Sequence, residues 1–179
     1  KESIMRLPSS PRSTLSLSSL AALAAALSAC ASGGGVATLS PQAASTGGPA
    51  PTPGYDWLLE QDGQEVTLAY GQPNSDDLKL QLICQGCTGQ LELAAVFDKP
   101  ARVLHIESGG DDERYTARSE PAGIHEGQYV TADAQTKDQV FQRFRRLGWL
   151  ALWQGDDRET LAAHPGSLSS VERFFAACG

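Results

Sequence analysis

Leu78-Lys79-Leu80-Gln81-Leu82-Ile83-Cys84, followed after a short break by Gln90-Leu91-Glu92-Leu93-Ala94-Ala95-Val96-Phe97, is the stretch that decides the fold. Positions 78–82 alternate strictly between apolar and polar, the period-two pattern of a half-buried strand. The second run places Leu91, Leu93, Ala95 and Phe97 on one face, so the two runs are expected to pair antiparallel. Cys84-Gln85-Gly86-Cys87-Thr88-Gly89 then becomes a hairpin loop.

Outward from this hairpin the same pattern recurs. Toward the N-terminus, 57–61 and 64–70 flank Asp62-Gly63, a pair suited to a type I′ turn because both central positions need positive φ. Toward the C-terminus, strands are expected at 102–107, 114–118 and 128–132, separated by Gly-, Pro- and Asp-containing turns in an antiparallel meander. Thr136-Lys137-Asp138-Gln139 has the form of a capping box, and Val140, Phe141, Phe144 and Leu147 follow at helical spacing until Gly148. A last hairpin is expected from 149–154 and 158–163 around Gly155-Asp156-Asp157, with Trp149, Leu150, Leu152 and Trp153 in a strand buried on both faces. A terminal helix from about Ser169, capped by Ser169 and Glu172, runs through Phe174 and Phe175 to Cys178. The expected fold is α+β, a mainly antiparallel β-sandwich or partly open barrel with two short helices.

Residues 31–54 contain six Gly, four Pro and no charge, and read as a flexible tether. Before them lie Arg6 and Arg12, an apolar and small-residue run over 15–27 too short to span a bilayer, and Leu27-Ser28-Ala29-Cys30. Met5, the single methionine, is the expected translation start. The arrangement resembles the signal of bacterial lipoproteins, which implies acylation of Cys30 and removal of the peptide before it. Three segments follow: a signal peptide over 1–30, a tether over 31–54 and one β-rich domain over 55–179. The resemblance implies a periplasm-facing protein held on the membrane through Cys30. Ala31 and Ser32, with no aspartate after the cysteine, favour the outer membrane over the inner by similarity to the enterobacterial sorting rule.

Residues 31–179 carry 11 basic and 20 acidic side chains, a net charge of about −9, after Lys1, Arg6, Arg12 and Glu2 are set aside. Such a field opposes nucleic acid, so no nucleic-acid partner is expected. The expected partner besides the membrane is an envelope protein or a glycan. Three cysteines besides Cys30, in an oxidising compartment, suggest one pair and one leftover thiol.

Cys84-Gln85-Gly86-Cys87 has redox spacing, but a thioredoxin-like pair should open a helix, whereas Thr88-Gly89 and a strand follow. The same pair could supply half of a zinc site, completed by Cys178 and one of His105, His125 or His164. Asp76-Asp77, Asp111-Asp112-Glu113 and Asp156-Asp157 lack the spacing of a calcium-binding EF-hand and read as solvated turns. Arg143, Arg145 and Arg146 gather at the end of the first helix, where cations complement the helix dipole and could also contact an anion. No nucleophile elbow, metalloprotease helix or phosphate-binding glycine loop is present, so no cofactor, metal or catalytic residue is assigned and a non-enzymatic protein is expected.

Leu68-Ala69-Tyr70-Gly71-Gln72-Pro73-Asn74-Ser75-Asp76-Asp77, then Leu80 to Cys84, and the close Phe174-Phe175-Ala176-Ala177-Cys178-Gly179 resemble a set of small envelope proteins of alphaproteobacteria. In that pattern one cysteine ends the strand after the acidic loop and one lies at the C-terminus. The resemblance thus implies a Cys84 to Cys178 bridge, with Cys87 left as an additional thiol. It implies no particular activity.

Overall fold

The computed structural model describes residues 48–123 and 126–179. Among the described residues nine strands form one antiparallel sheet that curls into a nearly closed barrel: β1 Asp56–Asp62, β2 Glu65–Gly71, β3 Leu78–Gln85, β4 Gln90–Phe97, β5 Val103–Ser108, β6 Asp111–Pro121, β7 Gln128–Gln135, β8 Trp149–Gln154 and β9 Asp157–Ala162. Two helices, α1 Gln139–Leu147 and α2 Leu168–Cys178, pack on its core side. The α+β class, the antiparallel sheet and the two helices agree with the sequence reading.

The strand order is β1-β2-β3-β4-β7-β6-β5-β8-β9, in which β5, β6 and β7 pair in succession as the antiparallel meander expected of them. β5, β6 and β7 are joined in sequence but enter the sheet in reverse, so that β7 pairs with β4 and β5 with β8. The β4–β7 ladder runs in register from Gln90↔Gln135 to Phe97↔Gln128, which sets Leu91, Leu93 and Ala95 opposite Ala134, Ala132 and Val130. Large apolar side chains on one strand thus face small ones on the next, and the inner layer fills without overcrowding.

The core is the inner half of each alternating strand: Leu80 and Leu82 on β3, Leu104 and Ile106 on β5, and Leu150 and Leu152 on β8 join Phe141, Phe144, Phe174 and Phe175 from the helices. Trp57 is at its centre. Its ring contacts Tyr70 at 5.2 Å and Phe144 at 4.7 Å, and Phe144 contacts Phe175 at 5.9 Å. The Trp57 indole N–H donates to the Leu161 carbonyl at 3.2 Å, tying the first strand to the last.

Several local features differ from expectation. The β1–β2 turn lies at Gly63-Gln64, because Asp62 pairs with Glu65. Only Gly63 takes positive φ, at 59°, which suits a type II′ turn rather than I′. Thr136 does not cap α1; Asp138 is the N-cap residue, and its carboxylate accepts from the Gln135 N–H and the Tyr115 hydroxyl. Desolvation and the adjacent Asp138 charge push the Tyr115 phenol above its ordinary range. α2 starts with Ser167 as N-cap rather than Ser169, and the Ser167 hydroxyl is bound to Asp56 instead of capping the helix. β8 is buried on both faces only at Leu150, Ala151 and Leu152; Trp149 and Trp153 are half-buried on the outer face.

Gly148 ends α1 in the left-handed region at φ 73°, returning its N–H to the Phe144 carbonyl at 2.7 Å. Gly71 carries the register shift on β2, where an added Cβ would lie 2.6 Å from the Asp77 carbonyl oxygen.

Phe144→Ala should lower the unfolding free energy by about 3–5 kcal/mol, read as a lower urea midpoint, because the ring links Trp57 to Phe175 and cannot be replaced by small local shifts. A loss under about 1 kcal/mol would contradict the central place given to this contact.

Candidate functional site

Cysteine residues at two core positions build the first candidate site. Alternation along β3 turns Leu80, Leu82 and Cys84 inward, and helical spacing along α2 turns Val171, Phe174, Phe175 and Cys178 inward. Cys84 and Cys178, 2% and 0% exposed, form a disulfide with α-carbons 6.0 Å apart. The pairing agrees with the one implied by resemblance. It closes a loop spanning 94 positions and ties the terminal helix to the sheet.

The β3–β4 loop lies against the end of α2. The Gly86 N–H donates to the Gln64 carbonyl at 2.7 Å, the Cys87 N–H to the Ala177 carbonyl at 2.9 Å, and the Gly89 N–H to the Cys178 carbonyl at 2.7 Å. Thr136, freed from capping, places its hydroxyl 3.3 Å from the carbonyl oxygens of both Gly89 and Gly179. Cys87 is exposed, holds the left-handed conformation at φ 53°, and sets its Sγ 3.6 Å from the Ala177 oxygen. With its sulfur in a disulfide, Cys84 offers no thiolate for a zinc site with Cys87. Among the described residues no group of three His, Cys, Asp or Glu side chains is placed to hold a metal ion. His125 lies outside the described residues, as do Cys30 and the 31–47 part of the tether.

The expected anion-binding arginines are largely engaged within the protein. Arg143 pairs with Asp111 at 2.7 Å and Arg145 with Glu172 at 2.9 Å, while Arg146 is exposed at the helix end. The acidic loops are likewise built into local contacts. Asp77 accepts hydrogen bonds from the Tyr55 hydroxyl and from Gln72, and pairs with Lys79 at 3.0 Å. The Tyr55 bond, then the Lys79 ammonium, hold its carboxyl below the usual range.

Two constellations were not legible in the sequence. On the outer face, β5 pairing with β8 and β8 with β9 brings His105, Trp153 and Arg158 side by side. His105 stacks on Trp153 at 5.4 Å, and the Arg158 guanidinium lies 5.9 Å from Trp153 and 5.7 Å from Trp149. Glu107 gathers the row, accepting from Trp153 Nε1 at 3.1 Å and from Arg158 Nη2 at 2.8 Å. The cleft of about 370 Å³ beside it is lined by Pro100, Val103 and Trp153, but both faces of that indole are taken by His105 and Arg158.

The second constellation is Asp56, His164 and Ser167. Asp56 Oδ1 accepts from the Ser167 hydroxyl, from the His164 backbone N–H at 3.2 Å and from the Trp57 N–H at 2.8 Å. A catalytic triad needs an imidazole between serine and carboxylate. Here the serine meets the carboxylate directly and His164 engages through its backbone, so the set functions as a latch between β1 and the start of α2.

Three outcomes are expected. Cys178→Ser should destabilise the fold by about 2–5 kcal/mol in urea unfolding, whereas Cys87→Ser at its exposed position should change it by less than about 0.5 kcal/mol. The Arg158 guanidinium holds the Glu107 carboxyl below its ordinary value of 4.5. A carboxyl depressed in the folded state stabilises it above the unfolded value, and that stability is lost as pH falls through the folded one. Glu107→Gln should therefore flatten the fall in stability below about pH 4.5, by about 1 kcal/mol or less for so accessible a pair. Compared with known proteins, the chain matches no family model, no curated protein and no solved structure.

Proposed function

We propose that this chain is an exported, lipid-anchored protein of the bacterial cell envelope, and that its 55–179 domain is a non-enzymatic binding or structural module facing the periplasm. The observation that carries the reading is the buried Cys84–Cys178 disulfide, since such bonds form and persist in oxidising compartments and are rare in reducing ones. It accords with the basic, apolar and small-residue order that ends at Cys30. Among the described residues no helix is long and apolar enough to cross a membrane. Lipid on Cys30 supplies attachment of another kind, because two or more acyl chains hold a protein on a bilayer where one alone is reversible.

In this reading the uncharged 31–54 tract separates the domain from the membrane, and the outer membrane is favoured by Ala31 and Ser32. The partner is another envelope component, a protein or a glycan, met by a rigid, acidic and disulfide-stapled barrel. The acidic surface disfavours nucleic acid.

Expression of the full chain in a bacterium fed a labelled fatty acid tests the proposal. Label should enter the wild-type protein and sediment with membranes, and Cys30→Ser should lose both. Labelling that persists in the Cys30→Ser variant would remove the anchor from the account, and a cytosolic location of the wild type would remove the proposal altogether.

A further inference from the structure

The three cysteines of the barrel end form a cluster in which one sulfur is exposed and two are bonded and buried. The exposed residue is held against the backbone of the buried bond. Between the Cys87 and Cys178 α-carbons lie one hydrogen bond, from the Cys87 N–H to the Ala177 carbonyl, and one peptide unit. A second bond, from the Gly89 N–H to the Cys178 carbonyl, fixes the loop on the other side. Without further movement of the chain, Cys87 is therefore a neighbour of Cys178 on the solvent side, as Cys84 is its neighbour on the core side. Cys87 also holds a left-handed conformation that a non-glycine residue adopts at a cost, and these contacts to α2 keep it there.

We propose that Cys178 is a shared sulfur, and that Cys87 is the exposed thiol through which the buried Cys84–Cys178 bond is opened. In the step, Cys87 gives its proton to solvent and the thiolate attacks Cys178 Sγ in line with the existing bond. A Cys87–Cys178 bond forms, the Cys84–Cys178 bond breaks, and Cys84 leaves as a thiolate that takes up a proton. One disulfide and one thiol stand on each side, so no external oxidant or reductant is needed. Cys178 is the final residue of α2, where the helix meets the loop that carries Cys87.

The environment sets the direction. Cys84 lies in the apolar core, where a thiolate is poorly solvated, so it is a poor leaving group and readily re-attacks. The Cys84–Cys178 isomer is thus the resting form. The Cys87–Cys178 isomer is the one that small thiols reach, because its sulfur at Cys87 is exposed. A buried staple that solvent cannot attack directly thereby acquires an accessible entry point for thiol-disulfide exchange. The inference concerns only these three sulfurs and stands apart from the lipid anchor.

Two measurements on the full chain test it. Glutathione at fixed concentration should reduce the wild-type bond at least about tenfold faster than the bond in Cys87→Ser, which keeps Cys84 and Cys178. Equal rates would overturn the proposal. In Cys84→Ser, non-reducing peptide mapping after exposure to oxidised glutathione should find Cys87 joined to Cys178. Separate glutathione adducts on Cys87 and Cys178, with no link between them, would overturn it equally. The rate comparison uses a variant that retains the native staple, so the proposal remains testable even where Cys84→Ser does not fold.

Discussion

Trp57 joins the two ends of the sheet, and the architecture depends on that junction. A nine-stranded antiparallel sheet twists as it widens, and its first and last strands meet only if something spans the seam. The Trp57 indole does so in two ways. Its N–H is bound to Leu161 on β9, and its ring lies against Tyr70 on β2 and Phe144 on α1. Asp56 reinforces the seam by accepting from the Ser167 hydroxyl and the His164 backbone. A polar latch beside an aromatic stack is stable here because one carboxylate accepts from both the serine hydroxyl and the His164 N–H.

The opposite end of the barrel is closed differently. There the β3–β4 loop, the start of α1 and the end of α2 converge, and backbone hydrogen bonds from Cys87, Gly89 and Thr136 hold them together with the Cys84–Cys178 bond. One end is thus held by aromatic packing and a partly exposed carboxylate, the other by a covalent link and main-chain bonds. The disulfide acts mainly by restricting the unfolded chain, since its loop spans most of the domain. Its two sulfurs occupy ordinary core positions, so the staple adds constraint without disturbing packing.

Charge is used locally rather than as a site. Several carboxylates on turns and outer faces are set against a nearby cation or hydroxyl: Asp77 with Lys79 and Tyr55, Asp111 with Arg143, Glu107 with Arg158, and Glu172 with Arg145. Such accessible pairs contribute little individually to stability. They do position outer side chains, and the His105–Trp153–Arg158 row on Glu107 is the fullest example.

Alternation and helical spacing were sufficient to read most elements, because both are local consequences of how side chains leave a strand or a helix. β4 was read to its ends, and α1 was read to its stop at Gly148. The inward placement of Leu80, Leu82, Leu91 and Leu93 followed from the same pattern. Caps were less legible: Thr136 looks like a helix-starting residue, but the carbonyls of Gly89 and Gly179 take its hydroxyl, and α2 is preceded by Ser167 rather than the expected Ser169, with the Ser167 hydroxyl on Asp56. Strand order was legible within the hairpins and the β5–β6–β7 meander, but not in how these units join. The reversal of β5, β6 and β7 arises from which apolar faces complete the barrel, a matter of long-range packing. The outer row of His105, Trp153 and Arg158 exists only because that order sets β5 beside β8 and β9. By itself the sequence determined the kinds of element, the inward faces and the acidic balance. Only the tertiary structure decided how the hairpins and the meander joined and which hydroxyl met which carbonyl, because those choices rest on contacts between residues far apart along the chain.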